Sequence, residues 1–121
     1  MDITQNKLFT ELKKLGVDIE GTLSRFVDDD EIYMKFLSRF PDEDRIGPVR
    51  EAVAAKDNDA LMRAAHKLKG VAANLGMTSL SEKAENIVSK LRNGVCEGFE
   101  EDMADVEREH ELICRTINEN K

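Results

Sequence analysis

The sequence predicts an all-α protein: an antiparallel up-and-down four-helix bundle with one or two short N-terminal helices capping one end. Apolar residues recur every three or four positions through nearly the whole chain, the spacing that gathers them on one face of a helix. Strands are signalled nowhere, and with only 7 glycines and 2 prolines in 121 residues there are few points at which a helix must stop. Four amphipathic stretches of comparable length are joined by short connections, and such stretches pack most readily as antiparallel neighbours.

At the N-terminus, Ile3, Leu8, Leu12 and Leu15 keep helical spacing up to Gly16, a C-terminal stop. Asp18 caps a short second helix carrying Ile19, Leu23, Phe26 and Val27. The acidic step Asp28-Asp29-Asp30 supplies the next N-cap, followed by an apolar stripe of Tyr33, Phe36, Leu37 and Phe40. Pro41 and Gly47-Pro48 interrupt the next stretch, while Ile46, Val49 and Val53 hold the helical period to Lys56. The stretch is read as an interrupted helix whose break is not placed. Asp57 or Asn58 caps a helix that ends near Gly76. Ser79-x-x-Glu82 has the capping-box pattern and opens a helix with Leu80, Ala84, Ile87 and Leu91, closed at Gly94. The last helix runs from about Glu97 and carries Phe99, Met103, Val106, Ile113 and Ile117. Residues 1–28 are thus expected to be the cap helices and 29–121 the bundle, within one domain over 1–121, the size at which a single modest core is possible.

Composition excludes several function classes. A net charge of -7 argues against a nucleic-acid or anionic-membrane binder, since both need an extended basic surface. No apolar run is long enough to span a bilayer, and the N-terminal MDITQNKLF lacks the basic-then-apolar layout of a signal peptide. A cytoplasmic monomer is the expectation. Cys96 and Cys114 are spaced as no metal motif is and fit free thiols of a reducing compartment.

Chemistry concentrates between Asp57 and Gly76. With side chains about 100° apart on a helix, Leu61, Ala64, Ala65, Leu68, Val71, Ala72 and Leu75 fall in one apolar sector and His66 falls opposite. Asp59, Arg63, Gly70 and Ala73 share its outward sector, with Lys67 and Lys69 flanking it. Gly70 sits in a helix interior, where it costs about 1 kcal/mol relative to alanine. Its place one turn from His66 offers a reason: another protein's surface can come close to the imidazole. The lysines bring positive charge beside it, as a bound phosphoryl group requires. The plain alternative is a surface histidine with two solvated lysines. His110 fills a gap in the seam of the last helix between Val106 and Ile113, and reads as a partly buried histidine hydrogen-bonded within the bundle. A metal pair with His66 lacks any accompanying carboxylate or cysteine cluster and is discarded.

His66-Lys67-Leu68-Lys69-Gly70, with Leu75-Gly76 and Leu80 downstream, resembles the signature of the histidine-containing phosphotransfer (HPt) domains of bacterial multistep phosphorelays. Asp57, the Ala64-Ala65 run-in and the pattern Phe26, Asp30, Tyr33, Phe36, Leu37 extend the similarity from about Asp18 onward. Val71 departs from it where a small residue is common, and Pro48 interrupts a helix that is often continuous. The resemblance implies that His66 is the phospho-accepting nucleophile, that Lys69 steadies the phosphoryl oxygens and that Lys67 adds auxiliary positive charge. Arg63, Gly70, Ala73 and Asn74 become the candidate partner-binding residues. It further implies that the partners are receiver domains of hybrid histidine kinases and response regulators, and that the receiver brings both the phospho-aspartate and the magnesium; no cofactor is expected in this chain. There is no glycine-rich nucleotide loop and no room for an ATP-binding domain, so the protein is expected to be a stoichiometric phosphoryl carrier and not an enzyme. Two alternatives stand beside this reading. One is the phospho-accepting domain of a chemotaxis-type histidine kinase, which a fused kinase would establish. The other is a bundle that binds receivers without phosphotransfer, which has no need of both His66 and Lys69.

Overall fold

Four helices of this chain begin where a short acceptor side chain stands three residues ahead of an orphan backbone N–H. A computed structural model describes residues 6–26 and 29–120. Ile3, Val27 and Asp28, which belong to the predicted cap helices and their boundary, lie outside the described residues. Helix α1, Lys7–Lys14, starts with Asn6 accepting from the Phe9 amide at 3.1 Å. Helix α2, Ile19–Arg25, starts with Asp18 accepting from the Gly21 amide at 3.1 Å. Helix α3, Asp30–Arg39, starts with Asp29 accepting from the Ile32 amide at 3.1 Å. Helix α5, Asn58–Asn74, starts with Asp57, not Asn58, accepting from the Ala60 amide at 3.0 Å. No strand occurs among the described residues.

The interruption after α3 is a 3-10 turn, Phe40–Asp42, and beyond it a new helix, α4, Ile46–Ala55. Pro41 has no N–H to continue the helical ladder, so the chain tightens and turns. Arg45 holds the turn by donating to the Phe40 carbonyl at 2.6 Å, and the Asp44 carboxylate accepts from the Ile46 and Gly47 amides at 3.1 and 2.9 Å. Pro48 then lies in the first turn of α4, where its missing N–H would have been unpaired anyway. The sequence expectation of a capping box at Ser79-x-x-Glu82 is not met. Helix α6, Thr78–Arg92, begins one residue before Ser79, with Met77 as its cap and no side-chain cap bond. The cause is the tight α5–α6 turn, in which the Met77 amide bonds back to the Ala72 carbonyl at 2.8 Å while the Met77 carbonyl already accepts from Ser81. Helix α7, Glu100–Asn120, starts three residues later than the sequence suggests, beyond Gly98 with its φ of +85°.

Helices α4, α5, α6 and α7 touch in a closed ring, α4 against α5, α5 against α6, α6 against α7 and α7 against α4, and α1 packs on α7. Leu61, Ala65, Leu68 and Ala72 of α5 meet Leu80, Ala84, Ile87 and Val88 of α6 inside that ring, with Val106, Ile113 and Ile117 of α7. Leu8, Phe9 and Leu12 of α1 join the same core. Phe36 does not. It is 48 % exposed, because Tyr33, Leu37 and Phe40 already use the inward face of this short segment and leave Phe36 on its edge against Phe26.

The C-terminal end of α5 is where α2 and α3 attach. The buried Tyr33 hydroxyl donates to the Leu75 carbonyl at 2.8 Å, and Arg25 donates to the Ala73 and Asn74 carbonyls at 3.0 and 3.3 Å. The Asp18 amide donates to the Gly76 carbonyl at 2.8 Å. Gly76 has a φ of +79°, and a Cβ there would collide with the Thr22 hydroxyl and the Asp18 carbonyl. The glycine therefore answers both the left-handed turn and the close approach of α2.

Removing the Tyr33 hydroxyl should expose the importance of this junction. Tyr33→Phe keeps the ring stacked between Phe9 and Phe26 at centroid distances of 5.5 and 5.3 Å but strips a buried carbonyl of its partner. The expected loss is about 1–3 kcal/mol, read as a lower urea midpoint at unchanged helix content. A midpoint equal to the wild type's would show that water replaces the hydroxyl at no cost.

Candidate functional site

His66 is the central residue of the 17-residue α5 and is exposed. The helix is oriented by its inner residues: Leu61, Ala65, Leu68, Ala72 and Leu75 are buried, with Ala64 and Val71 half-buried at the margins. That leaves Asp59, Arg63, His66, Gly70 and Ala73 on the outer face, all exposed. At Gly70 an added Cβ would meet nothing within 4 Å. Among the described residues no steric demand calls for a glycine there.

The two lysines lean away from the imidazole in opposite directions. Lys67 is 3.7 Å from Glu43, which lies just past the 3-10 turn, and remains largely exposed. Lys69 pairs with Glu85 of α6 at 2.6 Å, with both side chains about one-third exposed. The Lys69 ammonium holds the Glu85 carboxyl below the usual carboxylate range, with Arg92 and His66 adding to the effect. Ser81 of α6 donates to the Lys69 carbonyl at 3.3 Å, fixing the backbone at this point of α5. Sequence periodicity missed Glu85, because a cross-helix partner sixteen positions away leaves no local pattern.

Two clefts flank the outer face on its α3–α4 side. One, of about 480 Å³, runs between α4 and α5 past Pro48, Glu51, Arg63 and Lys67. The other, of about 580 Å³, is lined by Arg25, Phe26, Phe36, Arg39, Val71 and Asn74. Phe36 gives it an exposed apolar edge, and Ile32, one turn earlier on α3, is 45 % exposed. Of the candidate partner-binding residues, Arg63 borders the first cleft, Asn74 the second, and Gly70 and Ala73 lie on the exposed face of the same helix. The apolar rim was missed because Phe36 is one position off the core stripe.

His110 is buried on α7, its ring 5.1 Å from that of Phe40 and its two ring nitrogens 3.7 and 3.9 Å from the Cys114 sulfur. Arg45 covers the Phe40 ring at 4.4 Å. Burial, and then the Arg45 charge, push the imidazole pKa down, against a smaller pull from Asp44. Burial likewise pushes the Cys114 thiol up to about 11. Both cysteines are free. Among the described residues no group of histidine, cysteine and carboxylate side chains could hold a metal ion, and no helix there is long and apolar enough to cross a membrane.

The family model for the Hpt domain matches residues 36–116, which include His66, Lys67, Lys69 and Gly70 together with all of α4, α5 and α6. No curated protein and no solved structure matches the chain.

The depressed His110 pKa makes stability depend on pH in a defined direction. The unfolded chain takes up the proton first as pH falls, so the stabilisation from a neutral, buried imidazole is present above about pH 6.5 and is lost below it. Between pH 6.5 and 5.5 the wild type should lose stability more steeply than His110→Gln, by at most about 1.4 kcal/mol per pH unit. Chemical denaturation at a series of pH values checks this, and parallel profiles would refute it.

Proposed function

The chain belongs to the Hpt domain family of histidine-containing phosphotransfer modules in two-component signalling, and from that premise we propose that it carries a phosphoryl group on His66 between receiver domains of a multistep phosphorelay. The observation that carries the reading is an exposed histidine at the middle of α5, on a face kept low by Gly70 and Ala73. The imidazole attacks with the lone pair of its unprotonated nitrogen. An N–P bond forms as the P–O bond to the receiver's aspartate breaks, and the leaving carboxylate keeps the bonding pair. The step runs in reverse for onward transfer.

Positioning and charge complete the transfer. Lys69 is the phosphoryl-stabilising group, within one turn of His66, and Lys67 adds weaker positive potential. The receiver supplies the phospho-aspartate and the magnesium, because this chain's part is the nucleophile. Exposed Ile32 and Phe36 on α3 and the cleft-lining Asn74 favour a protein partner seated across α3 and α5, with Arg63 at its other edge. The ring of α4 to α7 is read as an antiparallel up-and-down four-helix bundle, and the connections of a few residues between successive helices support it. In that reading the N-terminal helices cover one end, the chain acts as one domain over 1–121, and the carrier is a cytoplasmic monomer with no catalysis of its own.

Incubation with a panel of phosphorylated receiver domains tests the proposal. Label should appear on the wild type as an acid-labile, alkali-stable phosphoramidate and be absent from His66→Gln. Label on His110, or full labelling of the variant, would sink it.

A second outcome separates docking from chemistry at Gly70. Because the position is open, Gly70→Gln should stabilise α5 by up to about 1 kcal/mol while slowing transfer from a receiver. A small donor such as acetyl phosphate should be affected far less. Native-rate exchange with the receiver would mean that the glycine is not there for clearance.

A further inference from the structure

Lys69 is the group expected to steady a phosphoryl on His66, yet its ammonium is already engaged, 2.6 Å from the Glu85 carboxylate. Resting on the reading of His66 as the acceptor, we propose that Glu85 is a positioning residue that holds Lys69 while His66 is bare and releases it to the phosphoryl group. The pairing therefore sets how strongly this carrier retains phosphate.

The surroundings fit an exchange of partners more than a fixed pair. The backbone at Lys69 is tied to α6 through Ser81 at 3.3 Å, so α5 has no need to move and only the lysine side chain must swing. Arg92 of α6 stands 4.0 Å from the other Glu85 oxygen, at the limit of ion-pair contact, and can neutralise the carboxylate once the ammonium leaves. With the site bare, Lys69, Glu85 and Arg92 sum to one positive charge. A phosphoryl group adds nearly two negative charges close to Glu85, which favours moving the ammonium toward the phosphate. Lys67 offers no equivalent, since its contact to Glu43 is longer, at 3.7 Å, and its side chain is 71 % exposed. Glu85 thus competes with the phosphoryl group for one cation, and each phosphorylation must break the Lys69–Glu85 pair.

The distribution of phosphate at equilibrium reads this competition directly. The protein is mixed with a phosphorylated receiver domain that labels it, and the ratio of phosphohistidine to phospho-aspartate is measured. Glu85→Gln keeps the shape and removes the charge, and should raise that ratio about two- to fivefold, the range of an exposed ion pair. In a Lys69→Ala background the same change should have no effect. An unchanged or lowered ratio in Glu85→Gln overturns the proposal while leaving His66 as the acceptor, and so does an increase that persists without Lys69, which would be plain repulsion between carboxylate and phosphate. Absence of label on wild-type His66 from every receiver would instead overturn the acceptor reading, and the exchange with it. Circular dichroism verifies that each variant keeps its helices.

Discussion

The rest of the structure depends on satisfying the last carbonyls of α5. A helix leaves its final carbonyl groups without intrahelical partners, and here that end lies between the N-terminal helices and the turn into α6. Tyr33 reaches Leu75, Arg25 reaches Ala73 and Asn74, and the Asp18 amide reaches Gly76. Each of these donors comes from a different point of the first 33 residues, so capping one helix also fixes α2 and α3 against the body. The Gly76 turn, which has no room for a Cβ beside Thr22, then returns the chain closely enough for α6 to run beside α5. Small residues on both facing surfaces, Ala65 and Ala72 on one and Ala84 on the other, allow that approach.

The charge layout of the outer face arises from the same approach. Because α6 lies so near, the flank of α5 that carries Lys69 meets Glu85 and Ser81, while the opposite flank faces the 3-10 turn and offers Lys67 the more distant Glu43. Between the flanks His66 has Gly70 and Ala73 one and two turns on, all three exposed, and a Cβ added at Gly70 would meet nothing within 4 Å. A chain with a net charge of -7 thereby keeps a small basic spot beside an exposed histidine.

Much of the fold was legible because the signals are local. The N-caps at Asp18, Asp29 and Asp57 come from a short acceptor three residues before the amide it serves, and the inward faces of α5 to α7 come from helical periodicity. The outward sector of His66 is the complement of its helix's apolar sector and was readable for the same reason. The expectations that failed depended on neighbours. Ser79 looked like a cap, but the Met77 amide and carbonyl are both committed by the turn, and α6 starts ahead of it. Phe36 looked like core, but the inward face of α3 is filled by Tyr33 and Leu37. Glu85 and the capping roles of Tyr33 and Arg25 involve partners far apart in sequence, which periodicity cannot pair.

A carrier, on the proposed reading, must accept phosphate from one protein and surrender it to another, so its site must not bind the group too well. A deeply buried cation beside His66 would hold the phosphoryl group strongly, since low dielectric magnifies every charge contact. Placing Lys69 at the surface avoids this. Its attraction to the phosphate is screened, and the pair it would have to break with Glu85 subtracts from what remains. Small differences then decide the direction of flow, because each 1.4 kcal/mol is about a factor of ten in the phosphoryl distribution. A surface ion pair adds little to the stability of the fold, but a few-fold shift in a nearly balanced equilibrium is the scale on which it can act.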